Sequence, residues 1–294
     1  MTRATAIADG LYFGEGPRWH DGRLWFCDFY DHAVKSMDAS GDVRTELEID
    51  DQPSGLGWLP DGRLLVVSMH RRQVLRADAD GVKVHADLSA LATFHCNDMV
   101  VDRLGRAYVG NFGFDLDHAL HARGVEGVLA DHPTAVLARV DPDGSVHTAS
   151  TEMHFPNGSV ITPDGKTLVV AETLALRLTA FDIAADGDLS NRRVWAPVGM
   201  RAPDGICLDR NGHVWIANAI GPECVLFAPG GKIVATVETD QPCFACALGG
   251  SDGKTLYMLT APSSVSDIAR ASRQGHVLCA KVETGGATPG EVRA

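Results

Sequence analysis

Nowhere in this chain do about 18 apolar residues follow one another, so it offers no candidate for a membrane-spanning helix. The opening Met-Thr-Arg-Ala-Thr-Ala-Ile-Ala-Asp-Gly holds no apolar stretch of the length a secretory signal needs, and a cytoplasmic location is expected. Runs of basic residues are missing as well. Lys and Arg number 26 against 38 Asp and Glu, a net charge of −12, which speaks against nucleic acid and anionic membrane as partners. An anionic substrate would need positive charge supplied locally, most simply by a bound metal ion. A disulfide framework is also absent: the seven cysteines are odd in number and scattered through apolar runs, so they read as reduced, buried small hydrophobes. Cys243-Phe-Ala-Cys246 has the spacing of a redox or zinc pair, but no second pair accompanies it.

What the sequence does have is 45% apolar and 22% charged residues over 294 positions, ample material for a packed core. It also has an internal repeat. A short apolar segment, a Gly-containing turn and a β-rich run recur six times: Asp21-Gly22 before LWFC, Asp61-Gly62 before LLVV, Leu104-Gly105 before AYVG, Asp164-Gly165 before TLVV, Asn211-Gly212 before VWIA and Asp252-Gly253 before TLYM. The turns are separated by 40, 43, 60, 47 and 41 residues. Asp-Gly and Asn-Gly supply the positive φ of two-residue hairpin turns, and their flanks are rich in Val, Leu, Ile and aromatics. Most units continue with a third apolar run, a second turn such as Ala79-Asp80-Gly81 or Pro142-Asp143-Gly144, and a fourth short run. Four strands in each of six units predict an all-β, six-bladed β-propeller, a single domain spanning residues 1–294. The sixth unit has a third strand near Val277 to Val282 but no fourth in its Gly-, Pro- and Thr-rich tail, Glu283 to Ala294. The β-capable run Ala4 to Ala8 is therefore expected to complete the last blade and close the ring.

The innermost strand of each blade lines the central channel, and the residues at its start lie on one face. Counting back seven from each turn, six in the first unit, gives Glu15, Ser54, Asn97, Asn157 and Asp204, with Phe244 or Ala245 in the sixth. Four of these carry carboxylate or amide oxygens that sixfold geometry would make converge. Hard oxygen donors in a ring suit Ca²⁺, and two carboxylates neutralise one divalent ion; Mn²⁺, Mg²⁺, Zn²⁺ and Fe²⁺ also occupy O-rich sites. Asn97-Asp98, Asn157-Gly158 and Asp204-Gly205 are also turn dipeptides, so each alone reads as a turn former. Together with Glu15, which has no turn preference, they point to a metal.

These residues carry a resemblance. Gly14-Glu15-Gly16-Pro17, Phe155-Pro156-Asn157-Gly158 and Ala202-Pro203-Asp204-Gly205, at the starts of blades one, four and five, resemble the senescence marker protein (regucalcin), gluconolactonase and luciferin-regenerating enzyme family along nearly the whole chain. The resemblance implies a six-bladed propeller, a divalent ion held by Glu15, Asn157 and Asp204, and hydrolysis of sugar lactones. Asn97 matches the family's second Asn, a ligand or substrate contact, and in the related propeller diisopropyl fluorophosphatase four such residues surround calcium. Many sugar lactonases of the family carry Arg where this chain has His95, a departure that bears on aldonolactone specificity.

The expected chemistry is metal-dependent opening of a sugar-type or other small lactone, in which a polarised carbonyl is attacked by water. Asp204 is the candidate general base, with the alternative that it is a ligand only. Phosphotriester or other ester hydrolysis, and calcium binding without turnover, are the competing readings. The long third interval places an insertion at about 111–134 between the second and third strands of blade three, on the same face, where it could act as a lid. His118 and His121 in it have zinc-like spacing but no third ligand. Loops of the same class bring His70, Arg71, Glu172 and Asn218 near the mouth as candidate substrate contacts beside His95, and a second insertion, about Ser263 to Gln274, carries Arg270 and Arg273.

Overall fold

Six sheets of β-strands, antiparallel apart from one short edge strand, stand around a common axis in the computed structural model, which describes residues 2–287. Blade one comprises Gly14–His20, Arg23–Asp28, Ala33–Met37 and Val43–Glu48, from the inside out. Blades two to five begin with the inner strands Pro53–Trp58, Cys96–Val101, Pro156–Ile161 and Pro203–Leu208, and blade six with Cys243–Gly249.

The apolar runs of the repeat are the second strands, and their lack of alternation has a cause: both faces of a blade are covered by its neighbours. Leu65 and Val67 of blade two pack with Met99 and Val109 of blade three. Val169 and Leu178 of blade four pack with Ile206 and Ile216 of blade five. Phe26 and Met37 of blade one meet Tyr257 and Leu259 of blade six. The core is thus divided into interblade seams rather than gathered in one centre, and a Leu→Ala change in any seam should cost about 2–5 kcal/mol.

Ring closure follows the expectation and extends it. Thr5–Leu11 pairs antiparallel with Gly275–Lys281, Thr5 opposite Cys279, and supplies the outer strand of blade six. Just before it, Thr2–Arg3 adds in parallel to Ile233–Glu238 at the edge of blade five, so the N-terminal segment bridges two blades. The tail to Ala287 forms no strand, as expected, but is tied down by an isolated bridge, Gly286 opposite Asp209, and by backbone hydrogen bonds with Arg210, Gly253 and Leu208; the segment from 288 onward lies outside the described residues.

The repeat turns are less uniform than their sequence suggests. Only Asp21-Gly22 has both residues at positive φ, as a two-residue turn requires. In the other five the glycine alone does, because the loops are longer: Leu59 N–H donates to Arg63 O (2.9 Å) and Gly62 N–H to Leu59 O (2.9 Å). The insertion in blade three is helical. Helix α1 (Leu116–Ala130) starts with the Asp115 carboxylate accepting from the His118 N–H and is broken at Gly124, φ +67°. Blade six carries a shorter helix, α2 (Ser266–Ser272), in its own insertion. Among the described residues no helix is long and apolar enough to cross a membrane, and all seven cysteines are free thiols, five of them buried.

Candidate active site

Each inner strand repeats one local geometry at its start. Its first residue faces the last residue of the second strand: Gly14 with Asp28, Pro53 with Ser68, Cys96 with Asn111, Pro156 with Glu172, Pro203 with Asn218 and Cys243 with Thr260. The register then slips in every blade, at the second residue in blades two to six and just after it in blade one, where Glu15 still pairs with Cys27. The second residues are Glu15, Ser54, Asn97, Asn157, Asp204 and Phe244, all buried. The third is glycine in four blades, and the reason is contact between neighbouring inner strands. A Cβ on Gly158 would lie 2.5 Å from Asp204 O, and one on Gly205 2.7 Å from Ala245 Cα. Asn157-Gly158 and Asp204-Gly205 are therefore strand residues whose glycines permit backbone approach, not turns.

A chain of hydrogen bonds joins the polar members. Ser54 Oγ donates to Asn97 Oδ1 (3.3 Å), Asn97 Nδ2 to Asn157 Oδ1 (2.9 Å), Asn157 Nδ2 to Thr173 Oγ1 (3.1 Å) and Thr173 Oγ1 to Pro203 O (2.8 Å). The carboxylates complete the ring in a dry environment. Burial, then the charges of Asp204 and Asp98, push the Glu15 carboxyl well above its usual range. Asp204 is likewise raised by burial and by Asp98. Asp98, missed by the sequence reading except as half of a turn dipeptide, is held by Arg18 reaching across the channel (2.9 Å) and by the Met99 N–H (2.8 Å). Arg18 is committed there and to Met99 O (2.5 Å), and among the described residues no Lys or Arg pairs with Glu15 or Asp204. Two buried carboxylates without a counter-ion, flanked by two carboxamides, form a donor set that a hard divalent cation fits. No three His, Cys, Asp or Glu side chains cluster as a metal site among the described residues, so any such ion relies on the asparagines.

Above this floor opens a cavity of about 640 Å³. Its wall follows the repeat too. The residue before each inner strand receives a hydrogen bond from the residue after the second strand, as in Phe29 N to Phe13 O, Phe112 N to His95 O and Thr173 N to Phe155 O. Phe112 stacks on Phe155 at 4.4 Å between ring centres, and Phe13 contacts Phe244 at 4.8 Å. Helix α1 covers one side, with Leu116, Leu120, Val125, Val128 and Leu129 in the lining, and α2 contributes Arg270, which stacks on Tyr30.

Of the histidines, His70 and His95 both line the cavity, 4.3 Å apart. The His70 Nδ1 is fixed by Asp51 (3.0 Å). Burial works to raise the Asp51 carboxyl, but hydrogen bonds from His70, Ser68 and the Arg71 N–H prevail and hold it far below the usual range. Burial, then the nearby His70, lowers His95 to about 4, so its imidazole is neutral at pH 7. His118 and His121 lie exposed on the α1 rim.

Glu172 does not reach the cavity. It belongs to the register position that ends the second strand, and its buried carboxylate is bound by Thr179, Arg177 (2.9 Å), Arg192 (3.3 Å) and the His154 N–H (2.9 Å). Burial opposes ionisation there, yet these donors hold its carboxyl below the usual range. Asn218, at the same position of blade five, anchors the Ala202 N–H (3.2 Å) and donates to Glu223 (3.0 Å). Arg71 pairs with Asp50 on the surface. Glu172 and Asn218 sit one layer outside the cavity, where they fix the strand entries. The only Gly-x-Ser-x-Gly string, Gly249–Gly253, is in the turn between the first two strands of blade six, where no helix follows, unlike a serine nucleophile's elbow.

Residues 13–262 match the SMP-30/gluconolactonase/LRE-like region. The chain belongs to this family. Pentonolactonase XacC of Haloferax volcanii is 28% identical to this family member over 272 residues, 89% of this chain and 86% of the relative. Among solved structures, a luciferin-regenerating enzyme superposes with a TM-score of 0.80 at 20% identity, over 97% of each chain. A calcium-binding protein, regucalcin, from Agrobacterium tumefaciens gives 0.78 at 20% identity, over 100% of this chain and 99% of that one. These two likenesses are of fold.

Proposed function

We propose that the protein is a divalent-cation-dependent hydrolase of lactones, sugar-type or other small ones. The observation that carries this is the convergence of Glu15, Asn97, Asn157 and Asp204, one register position on four blades, at the floor of a cavity sized for a small organic ligand. Membership of a family containing a pentonolactonase supports the lactone.

Glu15, Asp204, Asn97 and Asn157 would hold the ion, and their all-oxygen set favours calcium. When bound, it supplies positive charge that polarises a lactone carbonyl and faces the developing oxyanion. The protein's own part is positional and basic. Asp204, at the floor, accepts the proton of the attacking water. The hydrogen-bonded chain from Ser54 to Pro203 O holds both carboxamides in place, so the donors need little reorganisation. The apolar wall excludes bulk water from the reacting carbonyl. His70, its Nδ1 tied to Asp51, leaves its other ring nitrogen for a ligand at the mouth, and neutral His95 can donate or accept one hydrogen bond without adding charge.

The test is hydrolysis of a lactone panel followed by pH-stat, with and without chelator, together with metal analysis of the purified protein. Chelator-sensitive turnover is expected, with Glu15→Gln and Asp204→Asn losing bound ion and activity together. Active, metal-free variants would overturn the assignment.

A further inference from the structure

We infer that the substrate carries an apolar substituent, an alkyl chain or an aryl group, on the ring that is hydrolysed, and that this enzyme discriminates against polyhydroxylated lactones. The inference rests on the hydrolase reading and adds the substrate's chemical class.

It follows from the wall's composition at successive register positions. Of the residues that precede the inner strands, those in the lining are Phe13, Gln52, His95, Phe155 and Ala202. Of those that follow the second strands, the lining takes Phe29, Met69, Phe112, Thr173 and Ala219. None of these ten is charged, and Thr173 already spends its hydroxyl on Pro203 O. A sugar lactone presents a hydroxyl on nearly every carbon, and with only Gln52 and His95 to serve them in this wall most would lose water without gaining a partner, a cost that apolar groups do not incur. Apart from Gln52 and His95, at the entries of adjacent blades two and three, the polar side chains of the lining lie toward its two ends: the floor of Glu15, Asn97, Asn157 and Asp204, and a mouth that includes His70, Asp115, Asp117 and Arg270. A ligand with one polar head and an apolar body matches that division, the head on the floor and the body between the aromatic wall and α1. Arg270 is not free to serve the middle of the cavity, since it lies over the Tyr30 ring at 5.2 Å. The helix supports the same reading, because its Leu120 and Leu129 face the wall and not water alone.

The experiment is a homologous series of γ-lactones with side chains from methyl to octyl, set against aldonolactones of the same ring size, read as kcat/KM. In parallel, binding of the corresponding alkyl γ-lactams, which resist ring opening, is followed by calorimetry. Burial of each methylene predicts a gain of about fourfold in kcat/KM and in lactam affinity until the cavity is filled. In Leu120→Asn, the octyl-to-methyl ratio should fall about tenfold or more, as a polar group replaces apolar wall. If aldonolactones turn over and chain length brings no gain, the inference fails while the hydrolase reading stands. If no lactone turns over yet lactam affinity climbs with chain length, the apolar-ligand inference stands and the hydrolase reading fails. Lactam affinity independent of chain length overturns the inference whatever the kinetics.

Discussion

Gly158 offers a demanding test of how the floor is built. An alanine Cβ there would lie 2.5 Å from Asp204 O, 2.6 Å from Ile206 N and 2.7 Å from Gly205 Cα, all main-chain atoms that no rotamer can move aside. Ordinary carbon contacts need about 3.5 Å, so the inner strands of blades four and five must separate by nearly an ångström. The two strands are sewn into sheets of four and five strands, and overpacking of this kind costs about 1–3 kcal/mol, toward the upper end where backbone is involved. The displaced strand carries Asp204, and a misplacement of about 1 Å at a catalytic group costs on the order of a hundredfold in rate. Gly158→Ala should therefore lower Tm by roughly 3–5 °C and kcat/KM by about two orders of magnitude. Gly62→Ala is the control. It meets nothing within 4 Å but has φ +86°, so it loses about 1–2 kcal/mol to backbone strain without touching the floor. The assays are thermal unfolding and steady-state hydrolysis on both variants. If Gly158→Ala kept wild-type kcat/KM and melted with Gly62→Ala, the direct contact between inner strands would not set the spacing of the floor.

Other outcomes follow from charge. Glu15 and Asp204 have folded-state pKa values raised above their unfolded ones, so their contribution favours folding below the unfolded carboxylate range and is lost as pH rises through the raised values. Metal-free protein should accordingly melt at a higher temperature near pH 5 than near pH 8, and Glu15→Gln should flatten that slope while removing one source of repulsion; a steeper slope in the variant would contradict the pairing. His95, depressed to about 4, should show ring protons by NMR that do not titrate between pH 5 and 8, and His70→Ala should move its midpoint upward because His70 is one cause of the depression. Its linkage runs the other way: stability is lost as pH falls from the unfolded value, about 6.5, toward 4. Glu172→Gln weakens charge-assisted bonds to Arg177 and Arg192 in the buried layer and should destabilise by about 2–4 kcal/mol in urea unfolding. KM of that variant should stay at the wild-type value, and a raised KM with unchanged stability would return Glu172 to the substrate.

The sixfold repeat made the architecture legible because its turns recur every forty-odd residues with one enlarged interval, and counting back from them reached Glu15, Asn97, Asn157 and Asp204 without any tertiary information. Phe244 rather than Ala245 takes the sixth position, which the register settles and the count left open. Glu172 and Asn218 were harder, since a polar residue ending an apolar strand can point inward or clamp the next loop, and only the pairing across the register slip tells which. Asp98 was obscured for a related reason: it fills the position that is glycine in four other blades, and its partner Arg18 comes from a strand 80 residues away in sequence. The aromatic wall flanks the ring motifs directly in the chain, as Phe13 and Phe155 do, but its meaning emerges only once the flanking residues of several blades are seen to surround one space.

The placement of the first strand has a consequence for how the chain comes into being. Thr5–Leu11 leaves the ribosome well before its partner Gly275–Lys281, which lies more than 260 residues further along the chain. Until that partner emerges the growing molecule is an open arc whose terminal blades expose seams normally covered, and the oxygen donors on the floor, drawn from blades one, three, four and five, do not yet surround a common point. Circularisation is then a long-range event late in folding, slow by the usual dependence on sequence separation. On the proposed reading, capture of a cation and acquisition of activity should arrive together, once the last blade has closed.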